Sequence, residues 1–218
     1  MRVLAGLIAL VTVALPQNRA LLLKPDAPEF VVPAPERSVV RFDTSKGEVV
    51  MEVFRDWAPL GAARFVNLVK HGYYDDCRFF RVTAERWVQF GVNGDPAVAL
   101  AWRDKYLRDE PFIKEHSNVR GTVAFAYGAP PILRTTQVFI NLRDNSSTHD
   151  TGPNGPFVVF GRVTQGMEVL DALTSEYGEG PGGIRAGRQD VFFTGGNAWL
   201  ANEFPNLDFI KRATVSAR

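Results

Sequence analysis

Eight short runs of strand-forming residues, separated by turn signals and interrupted by only two helical stripes, limit what this chain can become. The runs are Val39–Phe42, Glu48–Phe54, Arg78–Val82, Trp87–Gly91, Gly121–Ala126, Val138–Asn141, Phe157–Val163 and Asp208–Val215. Ser45-Lys46-Gly47 joins the first two. Beyond it Val49, Met51 and Val53 alternate with Val50, Glu52 and Phe54. A period of two beside a tight turn predicts an antiparallel hairpin. The first helical stripe opens with Pro59, which suits a first turn, and carries Ala62, Phe65, Val66 and Val69 at three- and four-residue spacing. Gly72 stands where a C-terminal cap belongs. The second stripe predicts a helix from Met167 to Tyr177, with Met167, Leu170 and Leu173 inward, ended by the glycine-rich stretch Gly178–Gly183. Many short strands with two helices predict a mainly β fold: a closed eight-stranded antiparallel β-barrel capped by two α-helices.

Charge and cysteine usage narrow the function. The 218 residues carry 25 basic and 24 acidic side chains, so no global field draws the chain to nucleic acid. Cys77 is the single cysteine, which excludes an internal disulfide, a CxxC redox pair and a cysteine-rich zinc site. It reads as a small apolar residue beside a strand. His71, His116 and His149 have no ligand spacing, so neither metal nor cofactor is expected.

The N-terminus differs from the rest. Arg2 precedes an apolar run from Val3 to Leu15, shorter than the ~20 residues that span a bilayer. The pattern is that of an export signal, with Ala20 as a cleavage position; retention as an N-terminal anchor with membrane association is the other outcome. No cysteine follows the run, so a bacterial lipoprotein anchor is excluded. Pro25, Pro28, Pro33 and Pro35 mark a linker. The expected organisation is a signal or anchor over 1–20, a Pro-rich linker over 21–37 and one domain over 38–218. The expected location is exported: periplasmic, extracellular or membrane-anchored.

The residues that could carry chemistry are Phe79-Phe80-Arg81-Val82, then Gln89, then Gln137-Val138-Phe139-Ile140-Asn141. They include no nucleophile, metal cluster or phosphate loop, and suit chemistry that breaks no covalent bond. Ser147-Thr148-His149-Asp150 has the letters of a hydrolase triad but no nucleophile elbow, and reads as a loop.

From about Val39 to Val215 the chain resembles the cyclophilins, the barrel-type peptidyl-prolyl cis-trans isomerases. The resemblance rests on short motifs in family order. They are Phe42-Asp43-Thr44-Ser45-Lys46-Gly47, Ala58-Pro59 with Phe65-Val66-Asn67-Leu68, Phe80-Arg81-Val82, Val88-Gln89, Gly121-Thr122-Val123-Ala124-Phe125-Ala126, Gln137-Val138-Phe139-Ile140 and Val159-Phe160-Gly161-Arg162-Val163. Gly195-Gly196-Asn197-Ala198 and Glu203-Phe204-Pro205 through Thr214 resemble an extension of secreted bacterial members.

The resemblance implies that Arg81 is the catalytic arginine. It implies that Gln89 holds substrate backbone and steadies Arg81, that Gln137 is a second polar contact, and that Phe139 floors a proline pocket. Ala126 and Tyr127 fall on the strip that meets substrate backbone. The chain departs from the pattern at Arg86, where the family has a pocket phenylalanine. Trp87 is then expected to supply the missing wall. His149 replaces an apolar residue before Asp150, and Phe157 falls on the usual pocket histidine. The expected partners are proline-containing unfolded or extended polypeptides, met by a monomer that needs no metal or nucleic acid. The alternative is a proline-peptide-binding chaperone or scaffold module with little turnover. Arg86 discriminates the two, since a guanidinium inside an apolar pocket would be costly.

Overall fold

The computed structural model describes residues 16–127, 133–151, 156–178 and 189–217. The run Val3–Leu15 and the glycine-rich stretch after Gly178 lie outside the described residues. The strands are β1 (Arg37–Thr44), β2 (Gly47–Phe54), β3 (Arg81–Thr83), β4 (Trp87–Phe90), β5 (Thr122–Phe125), β6 (Val138–Asn141), β7 (Val159–Gln165) and β8 (Ile210–Ala217). They form one eight-stranded sheet in the order β3-β4-β6-β5-β7-β2-β1-β8, and every pairing is antiparallel.

Alternation decides which face is buried. Val40 and Phe42, Val49, Met51 and Val53, Val88 and Phe90, Val123 and Phe125, Val138 and Ile140 all enter one apolar core. The residues between them on β3 to β6 face outward, and these include Arg81, Gln89 and Phe139. The β1–β2 turn is set by Thr44, whose Oγ1 accepts from the amides of Lys46 and Gly47 at 3.1 Å each.

Helix α2 (Pro59–Lys70) lays its Ala62, Phe65, Val66 and Val69 stripe against that core. Its end is the predicted glycine cap. Gly72 adopts φ +76°, its amide donates to Val69, and the Tyr73 amide reaches back to Leu68 at 2.9 Å. Its start is capped by a residue fifty positions on. The Glu110 carboxylate accepts from Leu60 N at 2.5 Å and Gly61 N at 3.0 Å, and itself pairs with the buried Arg134 at 3.2 Å.

Four expectations need correction. The sheet is open, not a closed barrel. Between its edge strands β3 and β8 only Arg78 and Phe209 form an isolated bridge among the described residues. The chain from 76 to 79 exchanges backbone hydrogen bonds with 208 to 210. Beyond them β8 pairs along β1, and three-residue β3 turns away with β4. Six helices, not two, lie among the described residues. Besides α2 these are α1 (Pro16–Leu22), α3 (Pro96–Trp102), α4 (Ser146–His149), α5 (Met167–Asp171) and α6 (Gln189–Glu203). The second predicted helix stops at Asp171 rather than Tyr177, because the buried Asp208 carboxylate takes the Thr174 amide at 2.8 Å.

The expected linker is also packed on the domain. Leu22, Phe30 and Ala34 are buried in the main core. Trp102 Nε1 donates to Leu22 O at 2.8 Å and Asn67 Nδ2 to Val32 O at 2.7 Å. Proline supplied short turns there, including a 3₁₀ turn over Pro28–Phe30, rather than a free spacer.

Candidate active site

The outward face of β3, β4, β5 and β6 opens into a groove of about 820 Å³. Its shape follows from strand register. Arg81 on β3 lies directly opposite Gln89 on β4, Gln89 opposite Phe139 on β6, and Phe139 opposite Ala124 on β5. Arg81 and Gln89 therefore share a face as cross-strand partners of a hairpin, not as members of one extended run. The hairpin turn puts Glu85 at φ +58° and closes with the Arg86 amide on Thr83 O at 3.0 Å.

The groove brings together Arg81, Trp87, Gln89, Ala126, Tyr127, Gln137, Phe139, His149 and Phe157, every residue that the sequence nominates. Arg86 lines it too. On the polar side, Arg81 Nη1 donates to Gln89 Oε1 at 2.9 Å, and Gln89 Nε2 donates to Gln137 Oε1 at 2.9 Å. On the apolar side the rings meet edge to face, except for the tilted Trp87–His149 pair. Phe139 lies 5.1 Å from Phe157 and 5.2 Å from His149, and His149 lies 5.0 Å from Phe157 and 5.3 Å from Trp87. Tyr127 lies tilted against Phe157 at 4.4 Å and donates its hydroxyl to Pro156 O at 2.8 Å. Burial pushes that phenol up to about 12, so it stays a donor near neutrality.

Arg86 borders the groove rather than turning out to solvent, with its Nε buried. Its guanidinium lies 4.4 Å above the Trp87 ring, and the Arg81 guanidinium lies 5.3 Å from the same ring. Contact of a guanidinium with an indole is favourable, and it lets a charged side chain border an apolar box.

The short helix α4, which carries His149, is a structural support together with Asp150. Asp150 accepts from Ser117 Oγ and from both nitrogens of Asn118. Asn145 Nδ2 donates to Arg86 O at 2.8 Å, and the Phe157 amide donates to His149 O at 2.8 Å. The Ser147-Thr148-His149-Asp150 run, expected as a loop, is instead the end of helix α4 with the residue that follows it, and it forms no triad, because His149 Nδ1 faces Asn141 Oδ1 at 3.2 Å while Asp150 accepts from Asn118.

Several lining residues escape sequence reasoning: Arg103, Asp104, Tyr106, Thr135, Gln189, Asp190 and Phe193. Those on α6 sit more than fifty positions after Gln137, and no local periodicity announces a helix broken at Gly196. That kink is required. Gly196 adopts φ +56°, and a Cβ there would meet Gly94 O at 2.3 Å.

Comparison with known proteins gives the family. Residues 39–185 match the family model "Cyclophilin type peptidyl-prolyl cis-trans isomerase/CLD". A peptidyl-prolyl cis-trans isomerase of Streptomyces antibioticus is 34% identical over 164 residues, covering 71% of this chain and 91% of that protein. One of Acinetobacter baylyi is 31% identical over 152 residues, 65% of this chain and 76% of that protein. The crystal structure of a Cryptosporidium parvum cyclophilin-type isomerase superposes with TM-score 0.59 at 22% identity, over 84% of this chain and 99% of its own. That protein was also solved in the presence of the dipeptide Ala-Pro, with TM-score 0.59 at 21% identity over 83% of this chain and 99% of its own. The chain belongs to the cyclophilin-type peptidyl-prolyl cis-trans isomerases.

Proposed function

We propose that the groove isomerises X–Pro bonds in unfolded or extended segments of other exported polypeptides, with Arg81 as the catalytic residue. Rotation about the bond crosses a barrier of about 18–20 kcal/mol because amide resonance is lost. As the bond twists, the proline nitrogen regains a lone pair. A charged donor aimed at that nitrogen stabilises the twisted state more than the planar one, which is what catalysis requires. Arg81 offers a rigid, positively charged donor fork.

The proline ring would rest on Phe139 between Trp87, His149 and Phe157. Gln89, Gln137, Ala126 and Tyr127 would hold the flanking backbone. The observation that carries this reading is the juxtaposition: the Arg81–Gln89–Gln137 chain runs along one side of a box of four rings in a single groove. Trp87 lines the groove and would stand as the wall that a phenylalanine would have made, which favours turnover over a passive binding module. Export is inferred from Arg2 and the apolar run Val3–Leu15.

The test is exchange NMR on a short X–Pro peptide with the full chain and its Arg81→Ala variant. Wild type should accelerate exchange. The variant should lose at least about 100-fold, the scale of removing one charge-stabilising donor, at an unchanged melting temperature. Peptide shifts without faster exchange would leave only the binding module. Parallel loss of activity and stability in the variant would make Arg81 structural.

A further inference from the structure

The match to the family ends at residue 185, yet the next element forms part of the groove. Helix α6 opens with Gln189, whose Oε1 accepts from Gln137 Nε2 at 3.3 Å. Asp190 pairs with Arg103 of the α3 end, and the Arg103 guanidinium lies 4.9 Å above the buried Phe193 ring. The first turns of α6 are therefore pinned to the rim of the groove.

The three carboxamides form a chain with a direction. Arginine can only donate, so Gln89 must turn its oxygen to Arg81. Its nitrogen then faces Gln137, which must answer with oxygen, and the Gln137 nitrogen is left needing an acceptor. Gln189 supplies it.

We propose that Gln189 is a positioning residue for the isomerase reaction, terminating a one-way hydrogen-bond chain that fixes the Gln137 and Gln89 carboxamides behind Arg81. The proposal rests on the reading of Arg81 given above. It assigns part of the reaction's machinery to an element outside the family's matched region. An acceptor at 189 completes the chain. A donor at 189 sets two donors face to face, either there or, if the amides flip, further along against Arg81.

The two substitutions Gln189→Glu and Gln189→Lys separate direction from bulk, since both keep a long polar side chain on an intermediate, not buried, position. In the full chain, Gln189→Glu should retain most of the wild-type kcat/KM. Gln189→Lys should lose about fivefold, the scale of one neutral hydrogen bond, with the thermal midpoint unmoved. The side-chain amide signals of Gln89 and Gln137 should keep their wild-type positions in the glutamate variant and move in the lysine variant. Equal loss in both variants, or no loss in either, would overturn the proposal. A wild type that leaves exchange unaccelerated would instead overturn the reading of Arg81, and the amide signals would still decide whether the chain has the stated direction.

Discussion

His149 shows how a single side chain is tuned by what surrounds it. Asn141 Nδ2 donates to Thr122 Oγ1 at 2.9 Å and Asn118 Oδ1 at 3.2 Å, which turns its oxygen toward the imidazole. The neutral ring then donates from Nδ1, leaving Nε2 without a proton. Burial among Trp87, Phe139 and Phe157 depresses its pKa to about 4, with the Arg86 guanidinium adding to the effect, Asp150 opposing it, and Arg81 contributing least. An unfolded histidine titrates near 6.5. Between these values the unfolded chain holds more protons than the folded one. The stabilisation from a neutral His149 is thus complete above about 6.5 and is lost as pH falls toward 4. In the ring's ¹⁵N spectrum at pH 5.5, His149 should still be neutral, and turnover there should equal turnover at pH 7.5. A protonation midpoint near 6.5 would mean that the ring is solvated rather than held in the box. The sequence shows His149 as a departure from the family pattern; its tautomer depends on Asn141 and Asn118, which only the fold brings to it.

At the scale of elements, the legible parts are those encoded locally. Alternation in Glu48–Phe54, the α2 stripe and the Gly72 cap are each written within a dozen residues, and each is present. What could not be read depends on distant residues. Sheet closure depends on how β8 divides its hydrogen bonds between β1 and residues 76–79, and the length of α5 depends on Asp208. The start of α2 depends on Glu110. That cap makes a sharp prediction. Glu110→Ala would free two amides at the α2 N-terminus and leave the Arg134 guanidinium buried without its carboxylate. Breaking a buried pair in this way costs about 3–5 kcal/mol. The expected result is an unfolding free energy lowered by that amount, read as a lower denaturant midpoint at unchanged slope. A change under 1 kcal/mol would show that Asp109, 3.4 Å from Arg134, takes over the pairing.

For the whole molecule, the question is where the folding unit begins. The family resemblance and the family match both start near residue 39, and prolines suggest a spacer before it. The structure places the boundary earlier. Phe30 packs edge to face against Trp102 at 4.7 Å and His71 at 5.3 Å, and Leu22 and Ala34 join the same core. A chain starting at Ser38 would expose the surface under Leu22 and Phe30, each worth about 1.5–3 kcal/mol when buried. It would also strip the buried Trp102 indole and Asn67 carboxamide of their acceptors on Leu22 and Val32. The combined loss is on the order of 5 kcal/mol, a large share of the roughly 5–15 kcal/mol by which a domain is stable. Trp102 ends α3, and the next residue, Arg103, borders the groove and holds α6 through Asp190. The loss should therefore reach function. Compared by urea unfolding, the chain from Ser38 should melt several kcal/mol below the chain from Pro16, and under folding conditions it should bind the X–Pro peptide more weakly. Equal midpoints would reduce residues 21–37 to the spacer that their prolines suggest. Equal peptide affinity with a lowered midpoint would confine the arm's role to stability and uncouple α3 from the groove.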